Sequence, residues 1–176
     1  VFLWSRGEEL LNEQFPDLCA ALVELPNGTV LDGELLCLEN GQIQPFNTLQ
    51  QRLGRKKPTK KLQHEVPVAI VCYDLLELHG EDLREKPLQL RRAVLERLLT
   101  TTLCRALLLS ENLIFSQWHE LETLRAMSRG RLAEGLMLKR ASAPYEQGRK
   151  KGNWWKWKVD PLSIDALMSP PRRLSV

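Results

Sequence analysis

The chain has 176 residues, of which 43% are hydrophobic and 27% are charged, and its formal net charge is +3. These values are ordinary for a globular protein, and the length suffices for one domain with a hydrophobic core. They exclude a membrane-spanning helix, because no apolar run approaches the roughly 20 residues required. A basic-then-apolar signal segment is not visible at the start either.

The first half of the chain predicts four strands and two helices separated by turns. Ser5 and Glu8 have the Ser-x-x-Glu spacing of a capping box, which indicates a helical turn after the first strand. The dipeptide Asn40-Gly41 is typical of a tight hairpin. The predicted elements are a strand over 1–5, a helix over 17–25, strands over 29–38 and 42–46, a helix from Asn47 to Gly54, and a strand over 66–78.

The second half predicts two longer helices and four strands. Pro87 suits the first turn of the first helix, and Ser116 and Gly130 mark the ends of the second. The helices cover 86–101 and 116–130, and the strands cover 107–115, 134–140, 154–159 and 163–168. Because strands and helices do not alternate strictly, we predict an α+β fold with antiparallel or mixed sheets flanked by helices.

The basic residues are concentrated in two segments. Residues 52–61 carry six basic side chains and no acidic one, and residues 148–158 carry five and no acidic one. Such clusters in a nearly neutral protein indicate an anionic partner, although solvated loops have the same composition. The first cluster consists of Arg52, Arg55, Lys56, Lys57, Lys60 and Lys61.

The four cysteines predict free structural thiols in a reducing compartment. They are widely spaced and form no Cys-x-x-Cys pair, which argues against a zinc site and a disulfide framework. They are Cys19, Cys37, Cys72 and Cys104.

Two predicted strands carry charged residues in patterns that suit a nucleotide. Asp32 and Glu34 lie on one face of a strand, where a ribose hydroxyl or a divalent metal would relieve their repulsion. Glu134 could likewise reach a metal, and Lys139, at the far end of its strand, could reach a phosphate. The alternative in each case is an ordinary polar strand end or turn.

The segment NWWKWKVD, residues 153–160, alternates tryptophans with lysines. On a strand, Lys156 and Lys158 share one face while Trp155 and Trp157 share the other. An apolar anchor is thereby combined with two cations one strand repeat apart, which suits a phosphate. An edge strand with solvated lysines is the simpler interpretation of the segment alone.

The order of these motifs resembles the adenylation domain of the covalent nucleotidyltransferases. Within that superfamily it is most similar to the bacterial type of ATP-dependent DNA ligase. The resemblance runs from residue 2 to about residue 168. It rests on the stretches FLWSRGEEL, LDGELL, YDLLELHGEDLREKPLQLRR, EGLMLKR, APYEQGRKKG and WWKWKVDPL.

The resemblance implies a role for each matched residue. Glu34 would bind the ribose of the adenylate, and Tyr73 would stack on adenine. Lys156 and Lys158 would contact the α-phosphate of ATP. The remaining expectations are Glu134 and Asp32 at a Mg²⁺ or other divalent metal ion, Lys139 at the nucleotide, Arg6 at a nucleotide or DNA phosphate, and Arg55, Lys56, Lys57, Lys60 and Lys61 on DNA.

One expected motif is missing from the sequence. Family members carry their nucleophilic lysine in Lys-x-Asp-Gly, but the one Asp-Gly here is Asp32-Gly33, with Val30 where the lysine would stand. We therefore expect residues 1–168 to be a partial adenylation domain that cannot adenylate itself, with a Pro/Arg-rich tail at 169–176 and without the OB-fold domain of the family.

The function implied by the resemblance is that of a monomeric DNA ligase that seals nicks in double-stranded DNA during repair, replication or recombination. The expected location is the bacterial cytoplasm, in association with the nucleoid. Two alternatives stay open: a non-catalytic DNA-binding module, and a nucleotidyltransferase of the RNA ligase or mRNA-capping type.

Overall fold

The computed structural model describes residues 1–148 and 150–160. The helices are α1 (Pro16–Ala21), α2 (Phe46–Leu53), α3 (Lys60–Glu65), α4 (Leu88–Thr101) and α5 (Trp118–Ala126), with 3-10 turns at Leu22–Glu24 and Met127–Arg131. The strands are β1 (Val30–Glu39), β2 (Gln42–Ile43), β3 (Val68–Leu78), β4 (Glu81–Asp82), β5 (Leu107–Leu109), β6 (Gly135–Lys139) and β7 (Trp154–Lys158). The strand predicted over 163–168 and the tail at 169–176 lie outside the described residues.

Five strands form one mixed sheet, which confirms the predicted α+β class. The long strands β1 and β3 pair antiparallel, β2 and β4 extend them as hairpins, and β5 pairs with β3 in parallel. Both hairpin turns are tight: Asn40 and Gly41 have φ of 51° and 77°, and His79 and Gly80 have φ of 53° and 82°. Asparagine and glycine tolerate this left-handed region, so the first hairpin forms where the sequence predicted it.

The hydrophobic core lies between this sheet and helices α1, α2 and α4. Phe15, Leu18, Leu75 and Leu95 are almost completely buried in it. The predicted long apolar strand, now β3, contributes Ala69, Cys72, Leu75 and Leu76 to the buried residues, and it is paired on both edges. All four cysteines are free, as predicted, and Cys72 is fully buried within the core.

Strands β6 and β7 form a separate antiparallel pair. Gly135 lies opposite Lys158, and Met137 lies opposite Lys156. Alternation then places the lysines on one face of this two-stranded sheet and Trp155 on the other. The predicted placement of Lys156 and Lys158 on the face opposite Trp155 and Trp157 is therefore confirmed, whereas Trp154 shares the lysine face.

The N-terminal residues do not form the predicted strand. A single bridge joins Trp4 to Leu10, and the Ser5 hydroxyl accepts hydrogen bonds from the backbone amides of Gly7 and Glu9. Glu8 has φ of 61°, which is incompatible with a helix. The Ser-x-x-Glu spacing thus belongs to a turn and not to a capping box.

Several other element bounds differ from the predictions. Helix α3 lies where a basic loop was expected, since the Thr59 hydroxyl caps it by accepting from the Leu62 amide at 3.2 Å. Helix α2 begins at Phe46 after Pro45 and not at Asn47. Strand β5 is shorter than predicted, and α5 is capped by Gln117 instead of Ser116. Across the described residues, no helix combines the length and apolar character that crossing a bilayer requires.

Candidate functional site

A cavity of about 580 Å³ lies between the two sheets. One wall comes from β1, the β1–β2 hairpin and the start of α2, and the other from the segment before β6 together with the lysine face of β6 and β7. The larger apolar side chains of its lining are Leu36, Ile43, Phe46, Leu49, Leu132, Leu136 and Met137. A cavity of this size, mostly apolar with a few charged groups, is suited to a small organic ligand.

Four charged residues predicted from the sequence line this cavity together. Glu34 comes from β1, whereas Glu134, Lys156 and Lys158 come from the two-stranded sheet and its approach. The Lys158 ammonium lies 2.7 Å from the Glu134 carboxylate. The hydrogen bond from Lys158, its positive charge and that of Lys156 lower the pKa of Glu134, so this group is ionised at neutral pH.

The geometry of β6 depends on a glycine at its first residue. Gly135 has φ of 146°, a conformation available essentially only to glycine. A Cβ atom there would lie 2.6 Å from the Lys158 Cα and would overlap the Trp157 carbonyl oxygen. Gly135 therefore permits the close pairing that holds Lys158 against the cavity.

Three predicted nucleotide contacts lie outside the cavity lining. Asp32, Tyr73 and Lys139 form a half-buried cluster together with Tyr145 and Trp154, which we call the inter-sheet cluster. The Asp32 carboxylate accepts hydrogen bonds from the hydroxyls of Tyr73 and Tyr145, both at 2.8 Å. Asp32 thus differs from Glu34, its neighbour two residues along β1, which does line the cavity.

Lys139 is held between two aromatic rings. Its ammonium lies 4.4 Å from the Tyr73 ring centroid and 3.9 Å from that of Trp154. Burial lowers the pKa of Lys139, although the charges of Asp74 and Asp32 act in the opposite direction. Tyr73 was predicted to stack on adenine, but in this structure the Lys139 ammonium occupies one face of its ring.

A bulge in β3 explains the direction of Tyr73. Asp32 pairs with Asp74, but the next residue, Gly33, pairs with Cys72, so Tyr73 is an extra residue on its strand. Its hydroxyl points towards Asp32. Burial, followed by the charge of Asp32 and the hydrogen bond to it, raises the pKa of Tyr73 well above its usual value.

The basic segment contributes an exposed surface, with one exception. Arg55, Lys56 and Lys57 follow α2, and Lys60 and Lys61 lie in the first turn of α3; all five are exposed. Arg6 is also exposed, in the turn closed by the Trp4–Leu10 bridge, and does not line the cavity.

The exception is Arg52, which is fully buried. It forms an ion pair with Asp17, donates to the carbonyls of Gln14 and Val66, and stacks on Phe15. The sixth basic residue of the predicted cluster is therefore part of the core and is not available to an external anion.

Sequence reasoning missed two residues at the inter-sheet cluster, the buried Arg91 beside it and the half-buried Tyr145 within it. Arg91 is fully buried and pairs with Asp74 through two hydrogen bonds of 2.7 and 2.9 Å. Tyr145 belongs to the β6–β7 loop, which was predicted only as a connection. The signal available for Tyr145 was a single aromatic residue within a loop of small, polar and basic residues.

Comparison with known protein families shows which family this sequence matches. The profile of the family described as "ATP dependent DNA ligase domain" matches residues 1–158. The chain belongs to this family. The expected resemblance is thereby confirmed, and the confirmation covers nearly all of the described residues.

Among curated relatives, a probable DNA ligase of Koribacter versatilis is 31% identical across 96% of the chain and 33% of its own length. A probable DNA ligase of Opitutus terrae is 34% identical across 96% of the chain and 19% of its own length. The chain thus spans a third or less of these two relatives.

A solved structure shares the fold. The mycobacterial DNA ligase D complexed with ATP and MES superposes with a TM-score of 0.68 at 29% sequence identity. The match covers 89% of this chain and 47% of that chain.

Proposed function

We propose that this chain is part of the adenylation domain of an ATP-dependent DNA ligase and that its cavity binds the adenylate. The observation that carries the proposal is the convergence of Glu34, Glu134, Lys156 and Lys158 on one cavity of about 580 Å³. In the parent enzyme, a lysine would attack the α-phosphorus of ATP and release pyrophosphate, and the AMP would then pass to the 5′-phosphate of a DNA nick. Attack of the 3′-hydroxyl on that phosphate would seal the strand and release AMP.

The chemistry of such a transfer suits the residues present. Phosphoryl-type transfer depends on neutralising charge more than on acid or base catalysis. Lys156 and Lys158 supply two cations from one rigid strand, where they would hold the α-phosphate. Glu34, on the opposite wall, would accept hydrogen bonds from the ribose hydroxyls. The apolar lining between them would receive the base.

The acidic residues of the cavity also fit a magnesium ion that arrives with its nucleotide. Within the described residues, no three carboxylate, histidine or cysteine side chains lie close enough to hold a metal by themselves. Mg²⁺ usually takes one or two carboxylates and completes its shell with phosphates and water. Glu134 would provide such a carboxylate, and the ion would neutralise phosphate charge. The accepted hydrogen bonds of Asp32 make it a weaker candidate.

Nucleotide binding by the chain is the direct test of the proposal. Titration calorimetry with ATP and Mg²⁺ should show saturable binding, and replacing both Lys156 and Lys158 with alanine should weaken it at least tenfold, since each charge-assisted hydrogen bond contributes about 1.5 kcal/mol or more. The matched control replaces Lys150 and Lys151, which belong to the same basic segment but do not line the cavity. Equal weakening in both variants, or preference for GTP over ATP, would contradict the proposal.

The missing Lys-x-Asp-Gly motif leads to a separate expectation. Incubation of the chain with labelled ATP and Mg²⁺, followed by denaturing electrophoresis, should leave the protein unlabelled. A stable labelled band would show that another lysine accepts AMP.

We also propose that the exposed basic surface contacts the phosphates of nicked duplex DNA. Replacing Arg55, Lys56, Lys57, Lys60 and Lys61 with alanine removes five cations and should reduce the slope of log affinity against log salt by about three to five. Binding to a nicked duplex is measured at several salt concentrations. A variant with Lys150 and Lys151 replaced serves for comparison, and an unchanged slope in the five-residue variant would reject this surface.

The remaining features are proposed at the level of the parent protein. They are a monomeric state, a bacterial cytoplasmic location near the nucleoid, and participation in repair, replication or recombination. Membership of the ligase family motivates each of these features, and the argument about the cavity needs none of them.

A further inference from the structure

The inter-sheet cluster forms a closed circuit of contacts between the two sheets. Starting from Asp32 on β1, the contacts run through the Tyr145 hydroxyl to the Trp154 ring, which meets Tyr145 edge-on at 5.7 Å. They continue through the Lys139 ammonium to the Tyr73 ring and return by its hydroxyl to Asp32. Two residues of the circuit belong to the five-stranded sheet, and the other three belong to the two-stranded sheet and its loop.

This circuit lies directly beside the cavity. Asp32 is two residues from Glu34 on β1, and Trp154 is two residues from Lys156 on β7. On both strands the pairs share a face, because side chains alternate along a strand. The distance across the circuit therefore fixes how far the Glu34 wall stands from the lysine wall.

Backbone contacts reinforce the same attachment. The carbonyls of Ala141 and Ala143, in the β6–β7 loop, accept from the amides of Gln89 and Leu88 at the start of α4. The Tyr145 amide donates to the Arg84 carbonyl at 2.7 Å. The guanidinium of Arg91 also lies 5.8 Å from the Tyr145 ring. Residues 141–145 of the loop are thus held against the start of α4 and the segment that follows β4.

We propose that the Tyr145–Asp32 hydrogen bond is a latch that positions Lys156 and Lys158 against Glu34. Tyr145 and Asp32 are positioning residues in this proposal: they act on the nucleotide through the placement of the two-stranded sheet and do not touch it. The inference rests on the proposed nucleotide site. It assigns Asp32 a role different from the metal contact implied by the family resemblance.

The test compares two variants that each remove one hydroxyl bonded to a charged group. Tyr145→Phe keeps the aromatic packing but removes the bond to Asp32. Ser110→Ala removes a bond of 2.7 Å to the Arg92 guanidinium, which joins α4 to the end of β5 within the large sheet. Both should lower the urea midpoint by a similar amount, whereas only Tyr145→Phe should weaken ATP binding, by about tenfold.

Hydrogen exchange supplies a second readout that needs no nucleotide. In Tyr145→Phe the amides of Leu88, Gln89 and Tyr145 should exchange about tenfold faster, while in Ser110→Ala they should not change. If the unmodified chain bound no nucleotide, the proposed function would fail, and the latch would then be judged on exchange alone. Unchanged exchange in Tyr145→Phe would overturn it.

A double-mutant cycle with Asp32→Asn separates positioning from metal binding. Affinity for AMP is measured in the presence of EDTA. The latch predicts that Asp32→Asn and Tyr145→Phe each weaken AMP binding. It also predicts that the double variant binds AMP as tightly as the single variant with the lower affinity. Unchanged nucleotide affinity in Tyr145→Phe would overturn the proposal. So would a loss of AMP affinity in the double variant equal to the product of the two single losses, or an effect of Asp32→Asn that appears only with Mg²⁺.

Discussion

The two sheets differ in how they are held in place. The five-stranded sheet is fixed by its own burial, since Asp74 of β3 and its ion-pair partner Arg91 of α4 are both completely buried. None of the residues of β6 or β7 is fully buried. The two-stranded sheet nevertheless supplies both cavity lysines, whereas the five-stranded sheet supplies Glu34. The most deeply buried ion pair and the lysines of the candidate site therefore lie in different parts of the chain, and we expect them to respond to different substitutions.

The largest effect is expected in the five-stranded sheet. Replacing Arg91 with methionine leaves the Asp74 carboxylate buried without its partner, which should lower the free energy of unfolding by about 3–5 kcal/mol. Urea denaturation followed by circular dichroism measures the change. The control is Arg131→Ala, since Arg131 pairs with Glu111 on the exposed surface and its loss should have little effect. Similar urea midpoints for the two variants would show that the buried Arg91–Asp74 pair contributes no more to stability than the exposed Arg131–Glu111 pair.

A smaller and more local effect is expected in the two-stranded sheet. Gly135→Ala places a side chain in a conformation that costs about 1–3 kcal/mol in addition to the overlap with the Trp157 carbonyl. Amides of β6 and β7 should exchange faster and ATP binding should weaken, while the slowest amides of β3 stay protected. The control is Gly130→Ala, where an added Cβ meets no atom within 4 Å. Loss of protection throughout β3 would show that the two sheets unfold as one unit.

The smallest effect concerns alkaline pH. Burial and the hydrogen bond to Asp32 raise the pKa of Tyr145, so the folded chain keeps this proton after the unfolded chain has lost it. Stability from this group is complete below the unfolded pKa of about 10 and decreases above it, by at most about 1.4 kcal/mol per pH unit. Urea titrations between pH 9 and 11 should therefore show a shallower loss for Tyr145→Phe than for the unmodified chain.

Comparison of these two curves isolates the tyrosine. The lowered pKa of Lys139 has the opposite sign, because it makes stability rise with pH as far as the unfolded pKa near 10.4. Lys139 is present in both chains, so to first order its contribution cancels in the difference. Parallel curves would mean that the hydroxyl of Tyr145 is as accessible in the folded chain as in the unfolded one.

The parts of the fold that the sequence predicted are those with strong local patterns. Strands β1 and β3 and helix α4 have long apolar periodicities, and Asn40-Gly41 specifies its hairpin directly. Helix α3 was missed because six residues are too few for a helical period to be recognised. The N-terminal strand was predicted from apolar composition, but most of its backbone pairs with no other strand.

The candidate site divides in the same way. The alternation of side chains on a strand was sufficient to predict that Lys156 and Lys158 share a face. The resemblance carried by the order of motifs predicted that Glu34 and Glu134 lie near them, and all four line the cavity. The partners of Asp32 could not be predicted, since the two tyrosines that donate to it are 41 and 113 residues away in the sequence. The bulge that turns Tyr73 also leaves no mark in the local pattern.

The ion pair between Lys158 and Glu134 has a consequence for selectivity. The Glu134 carboxylate already neutralises the Lys158 ammonium, so a small monovalent anion would gain little by displacing it. A polyphosphate that brings its own divalent counter-ion gives each member of the pair a new partner and leaves neither charge uncompensated. In the proposed nucleotide site, this pair would therefore favour a nucleotide that carries its own metal ion over the small anions of ambient salt.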